Sequence, residues 1–210
     1  MTFAMAGLLD RAPVIPVLTL ERVEDAVPLG KALLAGGLPV IEITLRSAAA
    51  LDAARAMIQA LPDALVGLGT VLDRAQLHAA AEIGAAFAVS PGASAGLLQA
   101  AQAEDMPPLL PGAATAGEVM TLREAGYRDM KFFPAEVAGG IAWLKAVQPV
   151  FPDCRFCPTG GVSAERAPDY LSLDNVACVG GSWIAPSAAI RRGAWEEIEQ
   201  RARAAAGVKK

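Results

Sequence analysis

The chain has 210 residues, 54% of them hydrophobic and 19% charged, and a formal net charge of −4. That length builds one sizeable core and fits a single domain spanning 1–210, at the short end for a barrel of eight βα units. The negative balance argues against a nucleic-acid partner, since phosphate backbones are bound by surplus Lys and Arg. Three cysteines are too few for a disulfide framework and fit a reducing cytoplasm.

Along the chain, short apolar runs alternate with longer alanine-rich stretches. A short helix is expected before the first run. Strands are expected at 14–18, 40–45, 65–70, 87–90, 108–111, 130–133, 156–159 and 176–180. Helical patterns fall between them, at 23–35, 48–61, 74–83, 93–103, 117–125, 141–147 and 164–171, and a last one at 195–206. The longest uncharged stretch, 83–103, is interrupted by Ser90-Pro91-Gly92, so it reads as a strand end and a turn and not as a membrane span. No secretory leader is expected either, because Asp10 and Arg11 follow Met1 closely.

Strands alternating with single helices imply parallel pairing through right-handed crossovers. Eight such units in one short chain favour an α/β fold of the (β/α)8 TIM-barrel type. A doubly wound open sheet would give the same alternation. In a barrel the C-terminal strand ends form the active face. Here those ends carry Arg46, Thr70, Ser90-Pro91-Gly92, Pro111-Gly112, Pro134, Thr159-Gly160-Gly161 and Gly181-Ser182.

The second run reads VIEITLR. Alternation puts Glu42, Thr44 and Arg46 on one face and Ile41, Ile43 and Leu45 on the other. The apolar set suits a helix layer, which leaves Glu42 pointing inward. An unpaired buried charge is costly, and a structural Glu42–Arg46 pair would satisfy both groups as well as a catalytic role would.

Of the five lysines, Lys31 and Lys145 lie in expected helices and Lys209 and Lys210 form a solvated tail; only Lys131 falls in a strand, within DMKFFP. Burial disfavours an ammonium relative to the neutral amine, and so favours a nucleophile. The competing reading, an edge lysine reaching solvent, needs an edge strand that a barrel lacks. Phe133 shares the face of Lys131 and would wall the site. Phe132 points the other way.

Glycines cluster after the last two strands, at Gly160-Gly161 and Gly180-Gly181-Ser182. Barrel enzymes often hold phosphate there, where backbone N–H groups can approach an anion. Tight turns also use glycine, so position carries this signal. Cys154 and Cys157 form a CxxC that supplies only half the ligands of a structural zinc site. His78, the one histidine, falls mid-helix, and Trp143, Trp183 and Trp195 read as packing residues.

Taken in order, VIEITLR, GLGTVLD, AVSPG, LLPGAAT, KFFPAE, FCPTGG and VGGSW closely resemble the 2-keto-3-deoxy-6-phosphogluconate (KDPG) aldolase family, including relatives acting on 4-hydroxy-2-oxoglutarate. The likeness runs from Val14 to about Ala206. It implies a class I aldolase on a (β/α)8 barrel, a homotrimer, with no metal or organic cofactor. By motif, Lys131 would form the Schiff base and Glu42 would be the general acid/base. Arg46 and Thr70 would hold the pyruvyl carboxylate. Pro91 and Phe133 would wall its methyl group, and Thr159, Gly160, Gly161, Gly181 and Ser182 would line the site towards the phosphate. Leu68, where a smaller residue is common, and Ala116-Gly117, where Pro-Ser is frequent, depart from the family pattern away from the reactive pair.

The substrate's stereochemistry at C4 is open, so the gluconate-derived and galactonate-derived keto acids stand as alternatives. A different phosphate-binding barrel enzyme, such as an isomerase or epimerase, would not need the strand lysine. A silent sensor of phosphorylated metabolites would keep the glycines without needing both Lys131 and Glu42.

Overall fold

The computed structural model describes residues 5–208, so the expectation for Lys209 and Lys210 lies outside the described residues. Every strand pairing is parallel. The strands are β1 (Val14–Leu18), β2 (Val40–Thr44), β3 (Leu65–Gly69), β4 (Phe87–Val89), β5 (Leu109–Leu110), β6 (Gly112–Ala113), β7 (Asp129–Phe132), β8 (Arg155–Pro158) and β9 (Val179–Gly181). They form a six-stranded sheet, β5-β4-β3-β2-β1-β9, and a three-stranded sheet, β6-β7-β8. Single bridges Phe156↔Val176 and Thr159↔Gly180 run between the β8 and β9 segments.

Each expected strand is present within a residue or two, except at two places. The run 108–111 continues to Ala113 as two short pieces, β5 and β6, separated by Pro111, whose ring nitrogen cannot donate to a ladder. Its carbonyl still accepts from the Lys131 N–H at 2.9 Å. The last strand is shifted: Gly181, expected in a loop, lies within β9 and is paired with Pro16 of β1.

The helices are α1 (Met5–Leu9), α2 (Ala26–Ala35), α3 (Ala50–Ala60), α4 (Arg74–Glu82), α5 (Ala95–Ala100), α6 (Ala116–Glu124), α7 (Gly140–Val147), α8 (Ala167–Leu171), α9 (Ser187–Arg191) and α10 (Trp195–Ala206). The expected helix 23–35 opens with a separate 3-10 turn, Val23–Asp25, and Pro28 then sits in the first turn of α2, where a missing N–H costs little. The five-residue α9 was not expected, being too short to show a helical period. Local capping fixes several starts. Asp73 accepts from the Gln76 N–H, Ser94 from the Leu97 N–H, and Thr115 with Glu118 forms a reciprocal capping box.

Buried side chains sort into two clusters. The larger contains Leu18, Ile41, Ile43, Leu68, Met130 and Phe132, packed against the helices. Trp143 of α7 stacks on Phe132 at 4.3 Å, which accounts for the outward aromatic of KFF. The smaller contains Ile15, Val40, Phe87, Val89, Leu110 and Cys157, the alternate residues of the same strands. Leu8 and Leu9 of α1 join this second cluster and cover one end of it. Among the described residues no helix is long and apolar enough to cross a membrane.

Candidate active site

Glu42 and Lys131 come from β2 and β7, 89 positions apart, and meet on the alternate-residue side of the sheets. The Lys131 Nζ donates to Glu42 Oε1 at 3.0 Å, with the two side chains 4% and 5% exposed. The carboxylate therefore pairs with the lysine and not with Arg46. A charge pair this deep is held by its partners: removing one member leaves the other stranded.

The neighbouring strand is shaped for it. Register sets Gly67 beside Glu42 and Gly69 beside Thr44. A Cβ at Gly69 would overlap the Glu42 carboxyl group, so glycine there leaves the acid its room. The sequence signal for this was present but unread: two glycines at alternate positions of GLGT, both on the face that Glu42 shares. Phe133 packs beside the amine, its ring centroid 5.5 Å from Lys131 Nζ. Beneath lies the apolar cluster of Val89, Leu110 and Cys157.

Arg46 departs from the simple alternation. The β2 ladder stops at Thr44, the Arg46 N–H turns back to the Thr44 carbonyl, and the guanidinium is exposed at the strand's end. Thr44 is committed elsewhere, donating to the Leu18 carbonyl at 2.8 Å and meeting Thr19 Oγ1 at 3.0 Å, a tie between β1 and β2. Thr70, directly after β3, has φ of 60°, the one non-glycine among the described residues in the left-handed region. A β-branched side chain resists that conformation, and such strain concentrates at functional sites.

Pro91, half-buried after β4, sets its carbonyl against Gly112. Thr159 is 6% exposed, and its hydroxyl donates to the Cys157 carbonyl at 3.3 Å. Gly160 and Gly161 have φ of 98° and 84°, backbone that glycine adopts freely. Gly181 is buried, whereas Ser182, next along, is exposed at the same end. Glu42 and Lys131 thus lie within their strands, and the other expected site residues lie at, or within a few residues after, the C-terminal ends of theirs. The CxxC pair is split between the two clusters, Cys154 outside and Cys157 inside, and so does not form a shared ligand set. His78 is exposed, and the three tryptophans pack half-buried against the larger cluster.

Chemically, an amine and a carboxylate within one hydrogen bond, walled by apolar groups, can attack a carbonyl and pass protons between nitrogen, oxygen and carbon.

The "KDPG and KHG aldolase" family model matches residues 5–201. The chain is 48% identical over 198 residues to the 2-dehydro-3-deoxy-phosphogluconate aldolase of Pseudomonas aeruginosa, covering 94% of this chain and 90% of that protein. It is 46% identical over 199 residues to the KHG/KDPG aldolase of Escherichia coli K12, covering 95% and 93%. Among solved structures, KDPG aldolase from Legionella pneumophila, with pyruvate captured at low pH as a covalent carbinolamine intermediate, superposes with a TM-score of 0.94 at 45% identity, over 96% of this chain and 98% of that one. A match over nearly the full length, joined to a buried lysine–carboxylate pair, leads to one conclusion: this chain belongs to the KDPG and KHG aldolase family.

Proposed function

We propose that the chain is a class I aldolase, a carbon–carbon lyase, that cleaves 2-dehydro-3-deoxy-6-phosphogluconate to pyruvate and glyceraldehyde 3-phosphate. The observation that carries this reading is the buried 3.0 Å contact between Lys131 Nζ and Glu42 Oε1. In this reading Glu42 takes a proton from Lys131, and the freed amine attacks the C2 ketone. The carbinolamine loses water, with Glu42 returning the proton to the departing hydroxyl, and a protonated imine forms. The covalent carbinolamine in the Legionella relative supports a pyruvyl adduct in this family. Glu42, a carboxylate again, takes the C4 hydroxyl proton, and the C3–C4 electron pair flows into the imine. Glyceraldehyde 3-phosphate leaves, and the enamine that remains is protonated on carbon by Glu42. Hydrolysis of the imine releases pyruvate and restores the amine.

In this reading Arg46 holds the substrate carboxylate. Its planar fork suits two parallel hydrogen bonds, and its exposure at the strand end leaves it free of any carboxylate partner among the described residues. Thr70 assists it. Pro91 and Phe133 flank the methyl group, and Thr159, Gly160, Gly161, Gly181 and Ser182 face the phosphate. The name of the Escherichia coli relative favours a second substrate, 4-hydroxy-2-oxoglutarate, cleaved to pyruvate and glyoxylate.

The same reading treats the two sheets as one closed (β/α)8 barrel. Its supports are the bridges between β8 and β9, the split strand that pairs β4 on one side and β7 on the other, and a β2 carboxylate that meets a β7 amine. The family resemblance supports a homotrimer, which sedimentation at working concentration would test, and three cysteines outside any disulfide suit a cytoplasmic setting.

The deciding experiment measures pyruvate release from the gluconate-series and galactonate-series phosphorylated keto acids and from 4-hydroxy-2-oxoglutarate, with borohydride trapping and peptide mapping. Pyruvate release with the adduct on Lys131 is expected. An adduct elsewhere, or no release from any of the three, would reject the proposal.

A further inference from the structure

Glu136 closes the KFFPAE run, and no step above uses it. It sits on the turn that joins the strand of Lys131 to α7. Backbone bonds zip that turn to the glycine loop: the Ala135 N–H donates to the Thr159 carbonyl at 2.9 Å and the Glu136 N–H to the Gly160 carbonyl at 3.1 Å. The Glu136 side chain lies directly on Gly161, where an added Cβ would stand 2.7 Å from Glu136 Cγ.

The carboxylate is held from the far side by α8 and the turn before it. The Tyr170 hydroxyl donates to Glu136 Oε1 at 2.7 Å, and Arg166 donates to Oε2 at 3.1 Å. The Tyr170 side chain is fully buried, and its hydroxyl also closes on Gly140 at the start of α7. Burial, and then the Glu136 carboxylate, hold the phenol well above its ordinary range, so it remains a donor. Arg166 also stands over the Tyr170 ring at 5.9 Å.

This arrangement resolves a physical difficulty. Gly160 and Gly161 both have positive φ and no side chain to anchor them, so the loop has little of its own to hold its N–H groups in place. A carboxylate so close to an anion site would also repel its ligand unless its charge were engaged. Arg166 and Tyr170 engage both oxygens.

We infer that Glu136, clamped by Tyr170 and Arg166, is the positioning residue that fixes the Gly160-Gly161 loop for the phosphate of the substrate. The inference rests on the phosphate-site reading above.

The test uses Glu136→Gln, Tyr170→Phe and Ser182→Ala, each assayed in two ways. One assay is steady-state cleavage of the phosphorylated keto acid. The other is exchange of pyruvate methyl protons, which needs the reactive pair but no phosphate. For Glu136→Gln and Tyr170→Phe, KM for the phosphorylated substrate should rise about ten-fold, as for loss of one hydrogen bond to a charged group. Inhibition by inorganic phosphate should weaken in parallel, while proton exchange stays within about two-fold of the parent. Parallel loss of cleavage and exchange would make Glu136 a general support of the fold and overturn the inference, and so would unchanged KM. If Ser182→Ala is selective for phosphorylated substrate while the Glu136 and Tyr170 variants are not, the inference alone fails. If Ser182→Ala is also unselective, the phosphate-site reading falls with it.

Discussion

The β7–β8 ribbon carries two charge pairs on one face, and their difference is instructive. At the entry to the strands, Asp129 lies in register with Arg155, whose guanidinium meets Asp129 at 2.8 Å and Asp10 at 2.9 Å. Two residues further on, Lys131 lies in register with Cys157 and reaches Glu42 at 3.0 Å. The first set is partly wet, with Arg155 31% and Asp10 53% exposed, while Lys131 and Glu42 are almost fully covered. Arg155 keeps its charge and shares it between two acids, so it ties the end of α1 to β7 and β8. Among the described residues Lys131 has one carboxylate partner and Phe133 beside it, and the proposed chemistry requires it to lose a proton. One ribbon thus supplies a fastening at one end and, in the proposed function, the reactive amine at the other. Depth and partner number separate the two roles.

The largest effect expected is at the buried end. Lys131→Ala should lower kcat by at least about 10⁴-fold and abolish borohydride trapping with pyruvate. Substantial remaining turnover would dissolve the contrast between the ends. Glu42→Gln should still be trapped with pyruvate, yet exchange its methyl protons about 10²-fold to 10⁴-fold more slowly. Exchange at the parental rate would put the base elsewhere. At the wet end, Arg155→Met should leave kcat/KM unchanged and cost about 1 kcal/mol in urea unfolding, shrinking in high salt. A kinetic defect there would mean that the two ends are coupled.

The smallest effect concerns a carboxylate on the same side as the site but without a part in it. Glu118 caps α6, and hydrogen bonds from the Ala114 N–H, then from Thr115, hold its carboxyl below its ordinary value of 4.5. A depressed folded-state value contributes stability that is present above the unfolded value and is lost as pH falls through the folded one. Glu118→Ala should cost about 0.5 kcal/mol near neutral pH, the low end for a lost helix cap. Melting curves of variant and parent should converge below the carboxylate range. A gap that persists at pH 3 would remove the cap as its cause.

Much of the frame was legible in local pattern. Alternation along VIEIT and KFF told which side chains face the helices, and the stacking of Trp143 on Phe132 agrees with it. Caps such as Asp73 and Thr115 start helices within a residue or two of the expected places. Other features were illegible because they depend on partners far along the chain. Arg46 falls on the inward face by count, but β2 ends before it, and the ladder to β3 decides where β2 ends. Gly181 reads as a loop glycine until β1 claims it as a strand residue. Glu136 lies plainly within a quoted motif, yet its meaning comes from Tyr170 and Arg166, 34 and 30 residues later.

The sequence by itself determined the alternation of strand and helix, the presence of a lysine and an acid on strand faces away from the helices, and the glycines near the last strand ends. Those follow from periodicity and side-chain chemistry, which act over a few residues. Only the tertiary structure decided that Glu42 answers Lys131 and not Arg46. Which charges meet is set by strand register and the curl of the sheets, and both are properties of the whole chain.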